Sequence, residues 1–142
     1  MSVLPLYLDT NILVSFFVQD DLSERAIQFL AGADGELLVS DFACLEFASA
    51  VAQRRRMKLL DRAAAQSAFA AFDSWTARVA TRIETAPADL IAAEAALRRL
   101  DTPLRTGDAL HIAIADRIGA TIATFDRKMT EAAIALGVAV TA

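Results

Sequence analysis

Four acidic residues of this chain stand in apolar company. Asp9 lies in YLDTNIL, and no other residue from Met1 to Val18 carries a charge. Glu46, in FACLEFASAVAQ, is the only charge between Asp41 and Arg54. Asp108 begins GDALHIAIAD, and Asp126 lies in TIATFDRK. Burying a lone ionised carboxylate costs several kcal/mol unless something compensates it. Each acid has a plain structural reading. Asp9 can cap a following helix, Asp108 and Asp126 can serve as caps or first-turn acids, and Glu46 can reach solvent or pair with an arginine. Four such coincidences in one short chain weaken that reading. Several carboxylates sharing a cleft repel one another, so either some are protonated or a cation sits among them. An all-oxygen set, with neither cysteine nor several histidines, suits Mg²⁺ or Mn²⁺. The sole histidine, His111, follows Asp108 by one turn on an apolar helix and reads as structural. No nucleophile accompanies it in its own motif, and no Gly-rich phosphate loop appears.

The elements that must position these acids follow from periodicity and caps. Val3 to Leu8 reads as a buried strand, short, apolar and bounded by a turn. Short helices are predicted over Asn11 to Phe17 and Ser23 to Ala31, the second ending near Gly32 and Gly35. Glu36 to Val39 is a second strand. Ser40 or Asp41 caps a helix to about Arg56, and Asp61 caps an Ala-rich helix ending near Ala77. Val79 to Thr85 alternates as a third strand, and Pro87 opens a helix to Leu100. Thr106 is expected to cap a helix to Ile118 that Gly119 stops, before a strand from Thr121 to Thr124. Asp126 caps a helix to Leu136, Gly137 ends it, and Val138 to Thr141 is a last strand. Strands separated by helices predict an α/β fold, a parallel sheet covered on both faces. Ligands in such folds bind beyond the carboxyl ends of the strands. Asp9 and Asp126 each follow a strand directly, so both should open onto the same sheet edge.

The 142 residues suit one domain spanning 1–142, with no repeat, low-complexity tract or linker. No uncharged run approaches the roughly 18 apolar residues of a membrane span. The first basic residue is Arg25, so no charged leader precedes an apolar segment. One cysteine, Cys44, excludes an internal disulfide, reads as core and suits a reducing cytoplasm. The net charge of −4 argues at first against a nucleic-acid partner. Yet Arg54, Arg55, Arg56, Lys58 and Arg62 gather a third of the basic residues, and setting aside four metal-bound acids leaves the remainder neutral. Arg54, Arg55, Arg56 and Lys58 could track nucleic-acid phosphates, or could simply complement a helix dipole.

Taken together, YLDTNIL, the solitary Glu46 after SDFACLEF, GDALHIAIAD and the closing IATFDRKMTEAAIALGV resemble the PIN-domain family, specifically the VapC-type toxin ribonucleases of type II toxin–antitoxin systems. The ordered set spans nearly the whole chain. The resemblance implies a three-layer α/β/α sandwich on a central parallel sheet. It also implies a Mg²⁺-dependent endoribonuclease, with Mn²⁺ as a substitute, that is usually a homodimer held inactive by a cognate antitoxin. Carried over by motif, Asp9, Glu46, Asp108 and Asp126 match the acidic quartet that binds metal. Thr10 and Asn11 match the polar pair after the first acid, and Thr124 the hydroxyl residue before the last. Two alternatives within this fold are a metal-dependent DNA nuclease and a catalytically silent binding module. An aspartyl phosphotransferase is excluded, because Asn11 stands where its second aspartate is needed.

Overall fold

The computed structural model describes residues 4–142, so Val3, placed in the first expected strand, lies outside the described residues. That strand, β1, is Leu6–Leu8. It starts late because Pro5 has no N–H to give a ladder, although its carbonyl accepts from Thr121 N at 2.9 Å. Helix α1 (Thr10–Phe17) and α2 (Ser23–Ala31) follow. Strand β2 (Leu37–Ser40) leads into α3 (Asp41–Arg56), where the Ser40 hydroxyl accepts from Ala43 N at 2.9 Å. Its ends suit the dipole, with Asp41 in the first turn and Arg54, Arg55 and Arg56 in the last.

Helix α4 (Arg62–Val79) is capped by Asp61 and runs past Ala77, so Val79 ends a helix instead of beginning a strand. Strand β3 is Ala80–Ile83, and α5 is Pro87–Arg98. Helix α6 (Thr106–Ile118) corrects one expectation. Thr106 is its first helical residue and not its cap; Arg105 holds the cap position without a side-chain bond. Gly119, at φ 68°, stops α6 in the left-handed region that glycine enters without strain. Strand β4 (Thr121–Ala123), α7 (Arg127–Ala135) and β5 (Val140–Thr141) complete the chain. β5 is shorter than expected, because Gly137 at φ 77° turns the chain out of α7 and pairing begins only at Val140 opposite Ile122.

All strand pairs are parallel, in the order β3-β2-β1-β4-β5. Alternation along the strands separates two cores. Leu8, Leu37, Val39 and Ala123 face α1–α4 with Ile12, Leu13, Phe47 and Phe72. Tyr7, Leu38 and Ile122 face α5–α7 with Ile112, Ile114 and Met129. Three layers result, as an α/β sequence with buried strands requires. Asp89 ties the second helical layer together. It is buried, accepts from Ala86 N at 2.7 Å, and receives both Arg117 Nε (2.8 Å) and Nη2 (3.0 Å). That fork joins α5 to α6, the helix bearing Asp108 and His111. Among the described residues no helix is long and apolar enough to cross a membrane.

The strand order has one consequence for ligands. The chain steps outward from β1 to β3, then returns to lay β4 on the other side of β1. Connections therefore diverge between β1 and β4, and the crevice at their carboxyl ends is where such sheets bind ligands.

Candidate active site

Asp9 leaves β1 at that divergence. Its N–H bonds Ala123 O of β4 at 2.9 Å, so the first acid is clamped to the neighbouring strand. Its side chain caps α1 through Thr10 N (2.7 Å to Oδ1). Thr124 Oγ1 donates to Oδ2 at 2.7 Å, and Asn11 Nδ2 approaches the same oxygen at 3.3 Å. Asn11 also bonds Thr124 Oγ1 at 3.2 Å and accepts from Phe125 N at 3.4 Å. Asp126 N in turn donates to Thr124 Oγ1 at 3.0 Å. Thr124 and Asn11 thus lock the ends of two strands into one rigid turn. Asp9 is only 7% exposed. Burial pushes its carboxyl above the usual range; His111, Thr124 and Thr10 pull the other way, and the nearby Glu46 adds to the rise.

Glu46 arrives from the side of α3. Its neighbours Ala43 and Phe47 pack into the core, leaving Glu46 at the rim. Thr10 Oγ1 donates to Oε1 at 2.6 Å, and His111 Nε2 meets the same oxygen at 2.5 Å. Burial raises the Glu46 carboxyl, but the bonds from His111 and Thr10, with the nearby Arg105, more than offset it, so it lies below the ordinary range. Two carboxylates that face the same histidine, one buried and one at the rim, are therefore shifted in opposite directions, Asp9 up and Glu46 down.

Asp108 occupies the first turn of α6, and Asp126 caps α7 through Lys128 N at 2.9 Å. Arg105 spans them, at 3.4 Å from Asp108 and 3.5 Å from Asp126. Its side chain is 76% exposed, so these long contacts hold it weakly. Asp9, Thr10, Asn11, Glu46, Asp108 and Asp126 all line one crevice of about 330 Å³, together with Ser49, Gln53, Arg105 and His111. Thr124 lies beneath it. Arg54, Arg55, Arg56 and Lys58 do not line it; they sit at the far end of α3, beyond Gln53. Lys58 adopts φ 61°, and Leu59 N bonds Arg54 O at 2.9 Å, so part of this basic group is a helix-stop motif. Asp116 is exposed and outside the crevice, and Cys44 is half-buried, its thiol pushed up by burial.

Oxygen donors from four separate segments, with a single loosely held cation among them, fit a hard divalent ion. Among the described residues no three acidic, histidine or cysteine side chains stand close enough to form a finished metal cage. A cation shared by all four acids requires Arg105 to leave Asp108 and Asp126, a small cost for so exposed a side chain. Sequence reasoning missed Arg105 and Gly107, and it gave His111 no part beyond packing. Only the position of His111 one turn after Asp108, beside a solitary glutamate elsewhere, hinted at more. Gly107 matters because a Cβ there would stand 2.9 Å from Glu46 Oε2. Gly107→Ala is expected to displace that oxygen and, if Oε2 holds a cation, to weaken Mn²⁺ binding roughly tenfold while the melting temperature barely moves. Unchanged Mn²⁺ affinity in a titration would show that Oε2 is not a ligand.

The PIN domain family model matches residues 6–135, and the chain belongs to the PIN domain family. No curated protein sequence matches it. Solved structures share the fold at low identity. VapC20 of Mycobacterium tuberculosis, a sarcin-ricin loop cleaving toxin, is 20% identical with a TM-score of 0.73, the match covering 89% of this chain and 94% of that one. VapBC2 of Rickettsia felis, bound to a promoter DNA fragment, is 16% identical with a TM-score of 0.71, covering 96% and 97%. DNA-bound VapBC of Salmonella typhimurium is 15% identical with a TM-score of 0.70, covering 98% of each chain.

Proposed function

We propose that this chain is a Mg²⁺-dependent endoribonuclease, the VapC-type toxin of a toxin–antitoxin pair. The observation that carries the reading is the convergence of Asp9, Glu46, Asp108 and Asp126 on one crevice at the strand divergence, with only the exposed Arg105 against them. Asp9 and Asp108 are the direct metal ligands in this reading, and Glu46 and Asp126 are further or water-mediated ones. A bound Mg²⁺ or Mn²⁺ supplies a water of lowered pKa and positive charge against the scissile phosphate. The chain's own residues do the orienting. Thr124 and Asn11 hold Asp9 Oδ2, Thr10 holds Glu46 Oε1, and the ends of β1 and β4 keep these groups rigid. No side chain needs to form a covalent intermediate. Single-stranded or loop RNA is the substrate class, because A-form helices hide base edges from side chains. The likeness to VapBC structures supports a cognate antitoxin as partner; a second copy of this chain as dimer mate rests on the family resemblance alone.

Labelled RNA and DNA of the same sequence, incubated with purified protein and Mg²⁺ or with chelator, test the reading. RNA is expected to be cut with Mg²⁺ and left whole with chelator, and DNA to remain intact. Cleavage of DNA instead, or of neither, would overturn it.

The basic end of α3 gives a second measurable consequence. Helix α3 carries Glu46 and Gln53 along the crevice toward Arg54, and no carboxylate pairs with Arg54, Arg55, Arg56 or Lys58 among the described residues. Reversing Arg54, Arg55 and Arg56 to glutamate should weaken RNA binding and flatten its log–log salt slope by about two. An unchanged slope would leave these residues as a dipole-complementing helix end.

A further inference from the structure

Glu46 presents its two oxygens to different surroundings. Oε1 carries both Thr10 Oγ1 at 2.6 Å and His111 Nε2 at 2.5 Å. Oε2 points at Gly107, whose missing side chain leaves it room. Behind His111 the bonds continue inward. Its Nδ1 meets Tyr7 OH at 2.5 Å, Tyr7 OH meets Ser40 Oγ at 2.8 Å, and Ser40 Oγ accepts from Ala43 N at 2.9 Å. Tyr7, Ser40 and His111 are all buried. Burial also pushes the Tyr7 phenol far above its ordinary range, so it remains a hydroxyl.

Counting hydrogens sets the direction of this chain. Ser40 Oγ already accepts from a backbone N–H, and its own hydrogen has one acceptor in reach, the Tyr7 oxygen. Tyr7 must then donate to His111 Nδ1. That leaves Nδ1 bare and places the ring proton on Nε2, aimed at Glu46 Oε1. Every donor finds an acceptor in this arrangement; reversing it strands the Ser40 hydrogen in the core. The ring is held further by a tilted contact with Phe42, centroids 4.9 Å apart.

We propose that His111 is a positioning residue: the buried Ser40–Tyr7–His111 chain, together with Thr10, saturates Glu46 Oε1, so that Oε2 alone is presented to a divalent cation. The role rests on the metal-dependent reading above and deepens it. His111 Nε2 also lies 3.8 Å from Asp9 Oδ1, so one ring sets the spacing of two of the four acids. Outer partners of this kind fix a ligand's orientation and commonly set metal affinity by one to two powers of ten.

Two measurements on the full chain test it. In metal-free protein, long-range ¹⁵N–¹H spectra of the imidazole should show a protonated Nε2 and a bare, hydrogen-bonded Nδ1. Tyr7→Phe should shift the Nδ1 resonance. A ring protonated at Nδ1 alone overturns the proposal. Second, Mn²⁺ affinity is read from the free-ion electron paramagnetic resonance signal in three proteins. His111→Leu should weaken binding by about ten- to a hundredfold. His111→Gln, which keeps an N–H for Oε1, should restore most of it. Should the leucine variant not fold, His111→Gln and Tyr7→Phe carry the comparison, the glutamine variant binding Mn²⁺ more tightly than a folded His111→Ala. Equal affinities with and without a donor at residue 111 overturn the role of His111 alone. A wild-type protein that binds no Mn²⁺ overturns the reading of the whole site, and this role with it.

Discussion

Asp9→Asn is expected to lower metal-dependent RNA cleavage roughly a thousandfold, equivalent to about 4 kcal/mol of transition-state stabilisation, while the fold persists. Asparagine matches aspartate in size and is as good a helix cap, so the bond from Thr10 N to residue 9 survives. What disappears is one negative charge at the buried corner of the crevice, and with it the oxygen that accepts from Thr124 Oγ1 and Asn11 Nδ2, donors that must then face an amide NH2. Stability reads the same substitution independently. Burial raises the Asp9 carboxyl above its unfolded value, so in the window between the two the native state binds a proton that the unfolded chain has lost. The contribution is therefore full below the unfolded value, near 3.8, and is lost as pH rises through the raised native value. Metal-free wild type should lose stability relative to Asp9→Asn as pH rises through that window. Mg²⁺ should restore it in wild type, since a ligand bound only by the folded state stabilises that state, and should do nothing for the variant. Urea midpoints of both proteins across pH, with chelator and with Mg²⁺, make the comparison. Full cleavage activity in Asp9→Asn, or equal Mg²⁺ stabilisation of both proteins, would refute the assignment.

The largest expected effect on stability is at Phe47, beside Glu46 on α3. Phe47 is 1% exposed and stacks on Phe72 with centroids 4.1 Å apart and planes 15° from parallel. Phe17 and Phe69 meet it edge-on at 5.8 and 6.1 Å. Truncation to alanine removes the transfer energy of the ring and leaves a cavity that the three packed aromatics around it cannot readily close. The expected cost is about 4 kcal/mol. For a chain of this length that corresponds to a melting temperature lower by roughly 15 °C. Calorimetry or denaturant unfolding checks it; a loss below about 1 kcal/mol would mean that the aromatic cluster repacks freely. The link to function is mechanical, because the inward face of α3, Ala43, Phe47 and Val51, sets where Glu46 and Gln53 meet the crevice. Cleavage in Phe47→Ala, measured well below its melting point, should fall through Glu46 misplacement even in the folded fraction.

Which acids to suspect was legible from the residues alone. A carboxylate set among Leu, Ile and Ala has no cation beside it to offset its charge, so its company announces that something more distant is needed. Caps and helix stops were equally local. Ser40, Asp61, Asp126, Gly119 and Gly137 act through bonds or backbone angles within a few residues of themselves. The departures were local too. Pro5 shortened β1, Gly137 delayed β5, and Thr106 entered its helix where a cap was expected.

The strand order was beyond local signals, and with it everything that depends on which segments become neighbours. That Asp9 and Asp126 share a crevice followed from strand ends. That Glu46 joins them depends on how α3 rotates once Phe47 is buried, and that Arg105 spans Asp108 and Asp126 depends on where α6 begins. His111 meets Glu46 across 65 positions and Tyr7 across 104. Caps and turns are decided by chemistry within one turn of chain, and sequence spells that out by itself. Contacts between remote buried polar groups exist only after sheet order and helix packing have brought them together and removed the water that would otherwise satisfy each group alone, so tertiary structure alone decides them.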